Sequence, residues 1–600
     1  MKNKFLKINF LCATMLVSVI IQASNTIPPI VANRPDSLIQ KDEMTRVYLS
    51  PVKIVWINDG GGQLIQNSHR LLCKGDGQAE MGKRDMMEVK HSGTDIPSVL
   101  LDFGCELHGG LQIVLGGSSR RKPQQIRIRF GESVGECNSA TLEDDWKVNY
   151  STNDHVSRDV TLRVSRNGSS EYGNTGFRFV RLDFLEPNVT TYVKEIRAIL
   201  RYRDIPYLGS FQSSDERLNK IWMTGAYTVH LNMQEYLWDG IKRDRLIWLG
   251  DMHPEISTLM CVFGNHQIVE KTLDKACEQY PLPSWMNGMS AYSMWYLIIH
   301  YEWYMYGGDM NFLQKHKAYI QGLVDLIASK IHQDGNEDLS PARFLDWPSS
   351  PNPKGVESGY RALLSWALDD AAKLAGFLDL PQMAQTASDA QKRLNKRILP
   401  PNNLKQAAAL MAIAGTMKAE KACKEVVSVG GPKGFSTFYG YYMLQALAKA
   451  GKYQEAMDII RQYWGGMLDM GATTFWEDFN LDWKDNAARL DELTPVGKKD
   501  IHGDFGAYCY PGYRHSLCHA WSSGPTAWMT HQVMGVEILE PGCRKILVNP
   551  HLGDLKWVKG TFPTPYGIVN INIDKDEVTG KANIRFEKPA EVTIVTNENK

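Results

Sequence analysis

The sequence predicts a multidomain protein in which a central all-α toroid is flanked by an N-terminal β-sandwich and a small C-terminal β-domain. Three observations carry that prediction. At 600 residues the chain is longer than one hydrophobic core serves, since cores stop growing at ~250 to 300 residues. The hydrophobic period changes from two residues to helical spacing near residue 206 and back near 536. The helical stretch carries paired amphipathic runs without a repeat of fixed length, which favours a toroid over a solenoid.

Residues 1–24 read as a secretory signal peptide. Lys2, Lys4 and Lys7 precede an apolar run from Ile8 to Ile21, and the small residues Ala23 and Ser24 follow. The run is too short to cross a bilayer, which takes about 20 apolar residues. Cys12 follows Asn9, Phe10 and Leu11 rather than small residues, so an exported bacterial protein, periplasmic or extracellular, is expected rather than a lipid-anchored one. No later stretch is long and apolar enough to predict a membrane span.

Residues 25–205 form the predicted β-sandwich. Ile126-Arg127-Ile128-Arg129-Phe130, Val160-Thr161-Leu162-Arg163-Val164 and Phe177-Arg178-Phe179-Val180-Arg181-Leu182 alternate as half-buried antiparallel strands do, between Gly, Ser, Asn and Pro clusters. Residues 206–535 form the predicted toroid. Leu363, Leu364, Ala367, Leu368, Ala371 and Leu374 make one face of an amphipathic helix, and Tyr439 to Tyr463 reads as a helix hairpin broken at Gly451. Residues 536–600 return to alternation at 568–573, 582–586 and 592–595 around the turn Lys575-Asp576-Glu577.

With 43% hydrophobic and 22% charged residues the chain is an ordinary globular protein. Its 67 basic residues balance its 67 acidic ones, which argues against a nucleic-acid partner, because phosphate neutralisation demands a cationic excess. Nine cysteines remain once Cys12 leaves with the leader, irregularly spaced from Cys73 to Cys543. They predict buried free thiols rather than a disulfide framework.

Thirteen of the 16 tryptophans lie between Trp222 and Trp528, many beside acids: Trp238-Asp239, Asp346-Trp347, Trp476-Glu477 and Asp482-Trp483. Sugar rings have apolar C–H faces and hydroxyl rims, so their sites pair aromatic walls with acids and amides. The densest segment runs from Trp238 to Asp251, with Asp239, Asp244, Asp251, Arg243 and Arg245 between Trp238 and Trp248. Crowded carboxylates against indole rings raise one another's pKa, as a general acid requires.

This segment resembles the acid-bearing motif of the α-L-rhamnosidases of glycoside hydrolase family 78. Phe344-Leu345-Asp346-Trp347, Gly471-Ala472-Thr473-Thr474-Phe475-Trp476-Glu477, the stretch Ser516 to Pro525, and Thr561 to Gly567 agree with the same family. The resemblance implies an (α/α)6 toroid between β-domains, with Asp244 as general acid and Glu477 as the base that activates water. It places Asp239, Arg243, Trp248 and Asp251 on the sugar and the acid, and completes the pocket with Asp346, Trp347, Trp476 and His519. The family inverts configuration, which requires its two carboxyl groups to stand ~6.5 to 9.5 Å apart. One position departs. The family usually has Glu where this chain has Asp244, so either a shifted backbone makes up the missing methylene or the proton falls ~1 Å short.

Other constellations are weaker. His515-x-x-x-His519 with Cys518 has the spacing of metal ligands on one helix face but lacks a third ligand. Asp478, Asn480 and Asp482 begin like a calcium loop, yet Trp483 stands where the turn needs Gly. No Gly-x-Ser-x-Gly elbow supports an esterase. The expectation is an exported, metal-free and cofactor-free inverting exo-glycosidase cutting terminal α-L-rhamnosyl linkages in plant or microbial glycans. The alternatives are a hydrolase of another α-linked deoxy or uronic sugar, and a carbohydrate-binding protein without turnover.

Overall fold

The computed structural model describes residues 43–81, 84–139 and 158–596; the stretch read as a signal peptide lies outside them. The first nine strands are joined in one antiparallel hydrogen-bonded network that branches. Strand Ser98–Ser118 is flanked along its first half by Lys53–Asn58 and along its second by Val189–Arg203, while Gly168–Phe184 runs along its other side. Gln124–Gly131 follows, pairing Ile126 with Phe184, Ile128 with Leu182 and Phe130 with Val180. Successive side chains on a strand face opposite ways. Ile126, Ile128 and Phe130 therefore enter one core with Leu101, Phe177, Val180 and Leu182. The arginines between them turn to acids: Arg127 makes two 2.8 Å bonds to Asp159, and Arg129 one of 3.0 Å to Asp183.

The helical region closes into a ring. Six inner helices, Met252–Val262, Ser290–Gly307, Pro353–Phe377, Lys405–Ile413, Gly440–Lys449 and Gly524–Trp528, each pack on the next, and the last packs back on the first. All residues of Met252–Val262 are buried, as expected of a helix enclosed on every side. An outer helix such as Pro381–Leu394 buries only Met383, Ala387, Ala390 and Leu394, a single stripe. Outer helices Glu216–Asn232 and Tyr453–Asp469 pack together and complete the outer layer. Local chemistry sets the ends. Asp215 accepts from the backbone N–H groups of Arg217 and Leu218 at 2.8 and 3.2 Å. Gly451, at φ 73°, makes the reversal between Gly440–Lys449 and Tyr453–Asp469.

The C-terminal strands build two small sheets. Ser210–Ser213, which precedes the first helix of the ring, pairs with Trp557–Thr564, and Gly567–Lys575 and Ala582–Glu587 follow. The second sheet joins Val536–Glu540, Lys545–Val548 and Thr593–Thr596, so the final strand pairs parallel to Lys545–Val548 rather than with its sequence neighbour. Among the described residues the nine cysteines are all unbridged, and no helix is long and apolar enough to cross a membrane.

Candidate active site

Loops leading into the inner helices meet at one mouth of the ring and enclose a cavity of about 400 Å³. Asp239, Arg243, Asp244, Trp248 and Asp251 come from the loop before Met252–Val262; Asn287 and Met289 precede Ser290–Gly307; Phe344 and Trp347 precede Pro353–Phe377. Glu477, Tyr510, Arg514, His519 and Trp521 come from the long connection before Gly524–Trp528.

The acid-rich loop is pinched at its base, where Asp239 Oδ1 accepts from the Leu246 amide at 2.9 Å and the Asp239 amide donates to Leu246 O at 3.2 Å. At its tip the Arg245 amide donates to Arg243 O at 2.8 Å, and Asp244 and Arg245 take φ values of 56° and 51°. Left-handed backbone costs a non-glycine residue about 1–2 kcal/mol, and Asp tolerates it better than most. The tip is held from two sides. Trp248 Nε1–H donates to Asp244 Oδ2 at 3.2 Å, and Arg245 Nη1 donates to Asn174 O of the first sheet at 2.7 Å.

One guanidinium joins the two opposed carboxylates. Arg243 donates through Nη2 to Glu477 Oε1 at 2.5 Å, through Nη1 to Asp244 Oδ1 at 3.3 Å, and through Nε to Arg514 O at 2.9 Å, with Tyr510 4.9 Å beneath it. Glu477 Oε2 accepts from the Ser516 amide at 3.1 Å, and its backbone oxygen accepts from Thr437 Oγ1 and Trp521 Nε1. His519 Nε2 stands 3.4 Å from Glu477, 3.8 Å from Asp239 and 3.9 Å from Asp251. Tyr292 O–H donates to Asp251 Oδ1 at 2.6 Å.

Burial dominates the charge states. It pushes Asp239 and Asp251 well above the carboxylate range, and neighbouring carboxylates add to the rise. Burial also raises Glu477, but Arg243 and the Ser516 amide oppose it. His519 is driven well below the usual imidazole value by desolvation and Arg243, so its ring is neutral.

Of the residues expected in the pocket, Asp239, Arg243, Asp244, Trp248, Asp251, Trp347, Glu477 and His519 line this cavity; Asp346 and Trp476 do not. Asp346 is buried behind Trp347, its oxygens taken by Ser436 Oγ at 2.6 Å, Gln406 Nε2 at 3.0 Å and the Ser349 amide at 3.0 Å. Trp476 packs edge-on against Phe479 and His515. His515 and His519 are not on a helix, since the chain between them runs through bends and irregular coil, and His515 Nε2 accepts from the Asp478 amide at 2.8 Å. Asn480 spends its side-chain oxygen capping Asp482 N at 3.0 Å instead of facing a cation. Asn287, Met289, Tyr292, Cys509, Tyr510 and Arg514 escaped the sequence reading. Only Asn287-Gly288 carries a local signal, a left-handed turn at φ 51° in which Asn287 clamps Leu249 N and Ile247 O.

The family described as the bacterial α-L-rhamnosidase six-hairpin glycosidase domain matches residues 206–533, and the bacterial α-L-rhamnosidase C-terminal domain matches 535–597. An α-L-rhamnosidase from Alteromonas sp. (strain LOR) is 25% identical over 84% of this chain, which covers 57% of that protein. The chain thus spans little more than half the length of that relative. Among solved structures, a family 78 rhamnosidase from Bacillus sp. GL1 superposes with a TM-score of 0.70 at 20% identity, over 89% of this chain and 56% of that one. A rhamnosidase from Klebsiella oxytoca with rhamnose bound superposes at 0.62 and 19% identity, over 81% of this chain and 95% of that one. At these identities the structural likeness establishes the fold.

Proposed function

Because the chain belongs to the bacterial α-L-rhamnosidase six-hairpin glycosidase family, glycoside hydrolase family 78, we propose that it is an exported, inverting α-L-rhamnosidase acting on the ends of plant or microbial glycans. Asp244 is the acid that protonates the glycosidic oxygen. Glu477 is the base that takes a proton from the attacking water. Asp239, Asp251, Trp248, Trp347 and His519 hold the sugar.

The observation that carries this reading is the Arg243 guanidinium bound to both Asp244 and Glu477. In a single displacement the acid loses a proton to the leaving oxygen while the base gains one from water, so negative charge passes from Glu477 to Asp244. Arg243 touches both ends of that transfer and keeps a carboxylate partner throughout, without reorganising.

The cavity favours a 6-deoxy sugar over a uronic one. Met289, Phe344, Trp347, Tyr292 and Trp521 give it an apolar side fit for a methyl group, while Arg243 is already engaged by carboxylates. The test is sugar release from a panel of α-L-rhamnosides by the purified protein, with the anomer of the first product followed by NMR. The reading expects β-L-rhamnose; α-L-rhamnose would refute inversion, and no release would refute the substrate assignment.

A further inference from the structure

We infer that Glu132, on the first sheet, is a positioning residue for Glu477, and that this sheet is part of the catalytic framework. The inference rests on the reading of Glu477 as base. Glu132 directly follows strand Gln124–Gly131 and is fully enclosed. Its Oε2 accepts from the Leu517 amide at 2.7 Å, and its Oε1 lies 3.5 Å from Ser516 Oγ. The amide that donates to Glu477 Oε2 is that of Ser516, the preceding residue, and the Glu477 amide in turn donates to Ser516 O at 3.0 Å. Glu132 thus grips, from the far side, the peptide segment that grips the base.

Lys242 ties the same point to the acid-bearing loop. Its ammonium stands 3.3 Å from both Glu132 and Glu136, donates to Tyr513 O at 2.5 Å and His515 O at 2.9 Å, and precedes Arg243. Glu132, Glu136 and His502 bring ligand atoms within 4.8 Å of one another. The Lys242 ammonium, 3.4 Å from His502 Nε2, supplies the cation that this cluster needs.

The sheet pins every segment that carries a proposed catalytic group. The Gly176 amide donates to Ile241 O at 3.0 Å, three residues before Asp244. Arg178 Nη1 donates to Gly471 O at 3.0 Å, and the Glu106 amide to Thr473 Oγ1 at 2.9 Å, on the approach to Glu477. Glu132 secures the segment ahead of His519. Its Oε2 accepts from the Leu517 amide and faces the Lys242 ammonium, so a carboxylate there both holds the peptide and balances that buried charge. A glutamine keeps an acceptor for the Leu517 amide but removes one of the two negative charges that face Lys242, the residue before Arg243.

The experiment is Glu132→Gln, assayed on whichever rhamnoside the wild type is first shown to cleave, so that a substrate misassignment appears in the wild type alone. A displacement near ~1 Å costs roughly a hundredfold in rate. The expected result is a fall in kcat of at least ~30-fold with KM within about threefold, the range of a moderate shift of the base. The acidic limb of the kcat/KM profile should move to higher pH, because Glu477 loses support for its ionised form. Arg127→Gln, on the same strand but paired outward to Asp159, should change neither. A folded Glu132→Gln enzyme with wild-type kcat and an unmoved acidic limb overturns the inference. Should Glu132→Gln fail to fold, Glu132→Asp keeps the charge and shortens the reach: a lowered kcat with a shifted limb supports the role, and wild-type values overturn it.

Discussion

Replacing Arg243 by lysine tests the charge-transfer argument directly. The guanidinium makes three hydrogen bonds from a buried site, to Glu477, Asp244 and Arg514 O. A lysine ammonium is a single compact donor on a flexible stem and cannot span both carboxylates. It keeps the Glu477 contact at best and gives up the other two. Hydrogen bonds involving a charged group contribute about 1.5–3 kcal/mol each, and water entering the gap recovers part of the loss. A net cost near 3 kcal/mol corresponds to about two orders of magnitude in rate. Because the bond to Asp244 matters most once the acid has surrendered its proton, the loss should fall on kcat rather than KM. Steady-state kinetics on an activated α-L-rhamnoside would measure it. Arg243→Lys turnover within threefold of wild type would refute the claim that one guanidinium must serve both carboxylates.

Three further outcomes follow from the same geometry. Glu477→Gln should lower turnover by at least about a thousandfold while calorimetry still detects sugar binding; surviving turnover would remove Glu477 from the base role. Since burial raises the Glu477 carboxyl and a base must be ionised, kcat/KM should decline on acidification already above the ordinary carboxylate range, near pH 4–5, as a pH profile would show. Glu255 is fully buried with neither carboxyl oxygen hydrogen-bonded, and burial beside Asp251 and Asp239 pushes it well up. Glu255→Met should therefore stabilise the fold by roughly 1–3 kcal/mol in denaturant melts, and a lowered melting midpoint would show that its carboxyl has a partner.

The fold was legible wherever local periodicity and burial coincide. Ile126, Ile128 and Phe130 alternate in sequence because one face of their strand meets the core. Gly451 marks a hairpin because the reversal there needs φ 73°. The branching of the first strand network was not legible, since it depends on which partner runs along each half of Ser98–Ser118. Nor was the parallel pairing of Thr593–Thr596, which joins segments far apart in sequence.

The site was legible by residue type and only half legible by direction. Each adjacent Trp–acid pair looked like a pocket wall, yet in extended backbone neighbouring side chains face opposite ways. Asp346, at φ −141° and ψ 170°, turns inward to Ser436 and Gln406 while Trp347 faces the cavity. Glu477 faces it while Trp476 packs behind, and Asp239 faces it while Trp238 lies edge-on to His108. Tyr292, Tyr510 and Arg514 reach the cavity only through closure of the ring, for which no short sequence pattern exists.

The left-handed tip at Asp244 and Arg245 has a consequence for how this protein would drift. Glycine at 244 would relieve conformational strain of about 1 kcal/mol or more but would give up the hydrogen bonds that the Asp244 carboxylate accepts from Trp248 Nε1 and Arg243 Nη1. Backbone and side chain thus pull on stability in opposite directions at one residue, and the melting temperature of Asp244→Gly would show which of the two prevails in a lineage freed from the need for an acid there.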